Sequence, residues 1–242
     1  MINQDQISGL LFLIDAFRSI PNEFPSLLSS GKINVNEIPE WYPYYEITMG
    51  QLFYEFINIT NMHSEIHDFI FTDNPAQAAL DIANQDTLTS PPKNLNLEKF
   101  VAILYALIKT YESVLYHQQT IHQLLKKIQT GLDTTDKLLH KIIQIDKTAI
   151  YCKPIQQRIH QAQITGDEKF FKKLATAFKP RVLPEPSQDA TLTFIIFFLL
   201  DIGEYQKMSE AERFELLIQF KQPHIDDASF KRKLYRIKNL YV

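Results

Sequence analysis

The chain has 242 residues and a net charge of −3, with 45% hydrophobic and 22% charged residues, which argues against extensive disorder. Its six glycines are scattered and form neither a G-x-G-x-x-G nor a P-loop pattern, which excludes nucleotide binding through a glycine-rich loop. The charge is uneven: residues 1–100 carry 4 basic and 13 acidic side chains, whereas residues 101–242 carry 21 and 15.

The first predicted element is a helix over 6–18, where apolar residues recur with helical spacing. It ends before Pro21. The segment EWYPYYE follows, and its rings are Trp41, Tyr42, Tyr44 and Tyr45. Tryptophan and tyrosine side chains combine an apolar ring with one polar group, so they suit either a partner-binding patch or a loop packed on the core. We favour the packed loop and keep these four residues as a candidate partner-binding site.

A helix is predicted over 46–71, and the sequence HSEIH within it places His63 and His67 on one face. This spacing can hold two ligands of a metal ion. Glu65, however, lies about 200° around the helix from each histidine, unlike the glutamate of an H-E-x-x-H site. A metal-dependent enzyme using His63 and His67 is therefore the third of our functional hypotheses. A shorter helix over 75–84 and a linker within 88–95 come next.

The longest predicted helix runs over 96–130, where apolar residues recur alternately four and three positions apart. Gln118 alone interrupts a seam made of Phe100, Leu104, Leu107, Tyr111, Val114, Ile121, Leu125 and Ile128. Gly131 is expected to end this helix, and a second helix begins near Asp133 or Thr134. The short turn predicts an antiparallel helical hairpin over about 96–150, and its seam packs either inside the chain or against a second copy.

The remaining helices are predicted at about 154–163, 167–178, 190–202, 209–220 and 227–239. Asp167 is expected to cap one of them, Ser209 with Glu212 another, and Asp226 or Asp227 the last. The proline-rich stretch 180–189 divides a main helical domain, 1–180, from a C-terminal three-helix unit, 187–242. That unit either stands apart or shares the same core.

The last helix carries the strongest functional signal. At 100° per residue, Phe230, Leu234, Ile237 and Tyr241 form a stripe for burial. The opposite face and the flanks carry five cations, which are Lys231, Arg232, Lys233, Arg236 and Lys238. Such side chains suit contacts with bases and phosphates, but lysines beside an apolar stripe also occur on ordinary solvated helices.

The sequence therefore predicts an all-α fold of eight to ten helices, an irregular bundle built around the 96–150 hairpin. The function we expect is that of a non-catalytic interaction protein that self-associates or binds a protein partner and needs no cofactor. A nucleic-acid-binding regulator using the basic last helix is the alternative. The single cysteine, Cys152, fits a cytoplasmic location. Membrane insertion is not expected, since the apolar run 192–200 is about half the ~20 residues that span a bilayer.

Overall fold

A computed structural model describes residue 7 and the ranges 40–60, 96–179 and 183–241. Within these ranges the chain is helical and contains no β-strand, so the all-α prediction is confirmed for them. Ten α-helices occur there, namely Met49–Thr60 (α1), Leu97–His117 (α2), Ile121–Gln129 (α3), Lys137–Ile145 (α4), Lys153–Thr165 (α5), Glu168–Ala177 (α6), Ala190–Asp201 (α7), Glu204–Lys207 (α8), Glu210–Leu217 (α9) and Asp227–Leu240 (α10). Three short 3₁₀ helices accompany them, at Tyr42–Glu46, Lys147–Tyr151 and Ile218–Phe220.

Several predicted elements lie outside the described residues. The helix predicted over 6–18 does so except at Ile7, which is helical and buried. The second half of the helix predicted over 46–71, the helix over 75–84 and the linker within 88–95 are likewise not described.

The helix predicted over 96–130 is interrupted near its middle. α2 ends at His117, Gln118 adopts a left-handed conformation with φ of 55°, and α3 begins only at Ile121. Thr120 caps α3, because its side chain accepts a hydrogen bond from the Gln123 N–H while the Gln123 side chain accepts one from the Thr120 N–H. The prediction of one continuous helix is therefore wrong. Buried seam residues continue on both sides of the break, so their spacing gives no sign of it.

Gly131 sits just beyond the end of α3, close to where the sequence predicts a helix terminus. Its φ is 75°, and its N–H donates to the carbonyl of Ile128 at 3.1 Å. The next residue, Leu132, donates to the carbonyl of Lys127 at 3.0 Å, which completes a Schellman motif. α3 and α4 pack against each other after this turn. The antiparallel arrangement of the full 96–150 hairpin stays a prediction.

Helix α7 is almost entirely buried. Its sequence is apolar on all sides, and it packs against α1, α2, α8 and α10. Burying one large apolar side chain stabilises a fold by about 1.5–3 kcal/mol. α7 contributes a set of such side chains, namely Leu192, Phe194, Ile195, Ile196, Phe197, Leu199 and Leu200. These residues make α7 the main apolar support for its neighbours.

No helix in the described part of the chain is both long enough and apolar enough to cross a bilayer.

Helix α10 packs on α7 through the stripe that the sequence predicts. Phe230, Leu234 and Ile237 are buried, and they belong to the same continuous cluster of buried side chains as α7 and the preceding helices. The Tyr241 ring lies 5.8 Å from the Phe197 ring. The division of the chain into domains 1–180 and 187–242 stays a prediction.

Replacing Gln118 separately by glycine and by alanine tests the break between α2 and α3. In a continuous helix alanine is more stable than glycine by about 1 kcal/mol. A left-handed residue reverses this order, since a Cβ atom costs roughly 1–2 kcal/mol there and glycine has none. We expect Gln118→Gly to unfold at higher urea concentration than Gln118→Ala.

The matched control is Gln161, an exposed glutamine inside α5. There Gln161→Ala is expected to be more stable than Gln161→Gly. The same order at both positions would contradict the break at Gln118.

Candidate functional site

Polar and charged residues stabilise both ends of helix α10. The Asp226 side chain accepts a hydrogen bond from the Ser229 N–H at 2.9 Å, which confirms the predicted cap. Asp227 lies in the first turn and Lys238 in the last, where their charges complement the helix dipole. With its apolar stripe buried against the core, α10 exposes four of its five basic residues, which are Lys231, Arg232, Arg236 and Lys238.

A groove of about 450 Å³ lies between α10 and α9, with α8 at one side. We call it the basic groove, and its lining residues are Tyr205, Glu210, Arg213, Phe214, Lys231, Arg232, Leu234, Tyr235 and Lys238. Four of these carry a positive charge and one, Glu210, carries a negative charge. A cleft lined mostly by one sign of charge concentrates counter-ions near it. The basic groove can therefore attract anions.

The five predicted cations divide between two environments. Lys231, Arg232 and Lys238 line the basic groove. Lys233 instead forms an ion pair with Asp189, with Nζ 2.8 Å from Oδ1, and both side chains are largely buried. Arg236 also faces Asp189, at 4.0 Å. The structure thus brings three of the five predicted residues to one groove and directs the other two toward Asp189.

Arg213 and Phe214 complete the groove from α9, and neither was predicted. The Ser209–Glu212 capping box that the sequence predicts starts α9 and fixes its first turn. Arg213 Nε then donates to the Tyr205 carbonyl oxygen at 2.9 Å, and its guanidinium lies 4.6 Å from the centre of the Tyr205 ring. The residue spacing within α9 does not predict that Arg213 and Phe214 line a groove, because the groove arises only where two separate helices meet.

Two lysines of the basic groove, Lys231 and Lys238, have no carboxylate partner among the described residues. Lys231 Nζ lies 4.9 Å from the centre of the Phe214 ring, a cation–π contact that orients the ammonium group. Across residues 40–60, 96–179 and 183–241, neither Lys231 nor Lys238 is within salt-bridge distance of an acidic side chain. These two lysines are therefore available to an anionic ligand.

The aromatic segment, residues 41–45, is fastened to the core by a buried carboxylate. The Trp41 Nε1–H and the Tyr45 hydroxyl both donate to Asp146 Oδ2. The Thr148 N–H and hydroxyl donate to the same carboxylate at 2.9 and 2.8 Å. Burial, with the nearby Asp146 charge, raises the pKa of Tyr45 well above its usual value, so the hydroxyl remains a donor.

Tyr45 is 1% exposed, so its ring lies inside the fold. Trp41, Tyr42 and Tyr44 are half-buried and pack against the same cluster. This arrangement is that of the packed loop, and the use of these residues as a partner-binding site stays a prediction.

Cys152 is buried beside the same segment, and its Sγ lies 3.5 Å from the Tyr42 carbonyl oxygen. Burial raises the pKa of the thiol to about 12, with Glu46 and Asp146 adding to the shift. Because the thiolate is the nucleophilic form of cysteine, this thiol is poorly suited to nucleophilic catalysis at neutral pH.

The predicted metal ligands His63 and His67 lie outside the described residues. Elsewhere, among the residues that are described, no group of three or more His, Cys, Asp or Glu side chains is arranged to hold a metal ion.

No protein-family model, curated protein or solved structure matches the chain. The chemistry of the basic groove therefore has to be inferred from its own side chains.

Substitutions at Tyr45 and Asp146 test the buried carboxylate. Tyr45→Phe removes one donor, and we expect it to lower the free energy of unfolding by about 1–2 kcal/mol. Asp146→Ala leaves the hydroxyl, the indole N–H and the Thr148 donors without their acceptor, so we expect a loss of roughly 3 kcal/mol or more. Urea unfolding followed by the fluorescence of Trp41, the single tryptophan, measures both.

Tyr54→Phe is the control. Because Tyr54 is 62% exposed, this substitution should leave the free energy of unfolding unchanged. Equal stability of Tyr45→Phe and the wild type would contradict the buried hydrogen bond.

His117 makes the fold sensitive to acid. Burial, with the nearby Lys141 charge, lowers the pKa of His117 to about 4, whereas an unfolded histidine titrates near 6.5. Between about pH 6.5 and pH 4 the unfolded chain therefore binds a proton that the folded chain does not, and stability falls as the pH falls. We expect the melting temperature to drop more steeply over this window in the wild type than in His117→Gln.

Other groups titrate in the same window, so the difference between the two curves is the measured quantity. His160→Gln, at an exposed histidine, should follow the wild type. Parallel curves for His117→Gln and the wild type would contradict the assignment.

Proposed function

We propose that the protein is a non-catalytic binding protein whose basic groove binds a polyanionic partner. The observation that carries this proposal is the arrangement of Arg213, Lys231, Arg232 and Lys238 around one open groove with a single carboxylate, Glu210. Charge of one sign on an accessible surface steers an oppositely charged partner and speeds its association.

The composition of the groove favours binding over catalysis. Its lining residues include no serine or cysteine nucleophile and no histidine, the side chain used most often as a general base. Its cations and rings instead suit contacts with anionic groups and flat ligands.

Partner binding has more support than self-association through the heptad seam. The seam side chains Phe100, Leu104, Leu107, Val114, Ile121 and Leu125 are buried within the chain itself. They are therefore not available to pair two copies. In this proposal α7, α9 and α10 act as the C-terminal three-helix unit, and the outer surface of α9 and α10 contacts the partner.

Two partner classes carry the required charge: an acidic segment of another protein and the phosphate backbone of a nucleic acid. The nucleic acid is favoured by a specific observation, since three of the five cations predicted for that role line the groove. A cytoplasmic location stays a prediction from the single cysteine.

Charge reversal in the groove tests the proposal with heparin as a generic polyanion. We expect wild-type protein to bind immobilised heparin and Lys231→Glu/Lys238→Glu to elute at clearly lower salt, because each lost contact reduces the release of counter-ions. Lys233 and Arg236 are left intact, since reversing either would place a second negative charge beside Asp189.

The matched control is Lys169→Glu/Lys173→Glu, which changes the same charge on the exposed face of α6. It should elute near the wild type, and melting curves should show all three proteins folded. Equal losses in both double variants would mean that only net charge matters. That result, or no retention of the wild type, would contradict the groove as the binding site.

A further inference from the structure

Tyr235 places an exposed aromatic ring in the basic groove. Electrostatic attraction of anions alone does not require such a ring. The Tyr235 side chain is 66% exposed, although tyrosine rings usually bury their apolar faces. It lies on the solvent face of α10 and lines the groove. Among the described residues it has no hydrogen bond and no ring contact, unlike Phe214 and Tyr205, whose rings are already covered by Lys231 and Arg213.

The groove cations of α10 surround this ring. Lys231 and Arg232 precede Tyr235 by four and three residues, and Lys238 follows it by three, so all lie next to it on the helix surface. From Lys231 to Lys238 the helix rises by about 10 Å. The face therefore presents a flat apolar ring with positive charge on both sides along the axis.

We infer that the basic groove binds single-stranded nucleic acid, with a base stacked on Tyr235 and the neighbouring phosphates on Lys231, Arg232 and Lys238. This inference rests on the proposed function and names its partner. Proteins that bind unpaired strands combine a basic groove with exposed aromatic rings, because every base has a flat face that can stack. Arg213 and Phe214 on α9 form the opposite wall of the same groove.

Other polyanions fit the ring less well. The bases of a duplex are stacked on one another, so they reach Tyr235 only if the duplex opens. An acidic peptide satisfies the cations but offers no flat group to an exposed ring. Leu234, the aliphatic lining residue, is only 5% exposed, so little aliphatic surface is left for a peptide's apolar side chains.

The test compares four labelled ligands of matched length by fluorescence anisotropy: oligo(dT), an abasic oligonucleotide, a DNA duplex and polyglutamate. We expect oligo(dT) to bind tightest and to weaken as salt rises. Tyr235→Ala should weaken oligo(dT) binding by between about five-fold and a hundred-fold, the usual effect of removing one stacking ring. The same variant should leave binding of the abasic strand unchanged.

Two further variants separate stacking from folding and from charge. Tyr235→Trp keeps a flat ring and should retain oligo(dT) binding, whereas Lys231→Glu/Lys238→Glu should weaken oligo(dT) and the abasic strand alike. Tyr54→Ala removes a similarly exposed tyrosine from α1 and should change the binding of neither strand. Melting curves check that each variant is folded.

Each contrary result has a distinct meaning. Equal binding of oligo(dT) and the abasic strand, both insensitive to Tyr235→Ala, would overturn the inference and leave the polyanion-binding proposal standing. Tighter binding of the duplex or of polyglutamate would overturn the inference in favour of that partner. Failure of all four ligands to bind at low salt would overturn both the inference and the proposed function.

Discussion

Burial of α7 on all sides is the constraint that positions the helices around it, including α10. A helix without a polar face needs neighbours all round it, and α1, α2 and α10 are among those that cover it. Acidic residues at the two ends of α7 bind α1 and α10. Asp189, just before the helix, forms the ion pair with Lys233. Asp201, at its last residue, accepts hydrogen bonds from the Gly50 N–H at 3.0 Å and from the Tyr241 hydroxyl.

This attachment at two points decides how α10 is oriented. Lys233 lies near the middle of α10 and Tyr241 just beyond its end, so the helix can neither rotate nor slide without breaking a contact. Removing one partner of a largely buried ion pair leaves the other charge desolvated, which is costly. The orientation fixes which cations face the core and which face solvent. Tyr235 and the groove lysines point outward because Lys233 and the apolar stripe point inward.

Much of the fold was predictable because its signals are local. The caps at Asp167, Ser209 and Asp226 and the stripe on α10 depend on neighbours within one or two turns, and the structure contains all of them. The interruption at Gln118 was missed because seam spacing continues across it, although Thr120 and Gln123 carried a capping signal. Asp146 and Arg213 were missed for another reason. Their partners are distant in sequence or belong to another helix, so only the packed fold brings them together.

The central claim is that α7 holds α10 so that α9 and α10 present one binding groove. Amide hydrogen–deuterium exchange of the full chain, measured by mass spectrometry with and without oligo(dT), tests it most directly. The account predicts slower exchange on ligand addition in peptides covering 205–214 and 227–240, with α7 itself slowest to exchange in either state. Protection confined to another basic surface, such as residues 168–177 of α6, or rapid exchange throughout α7, would contradict it.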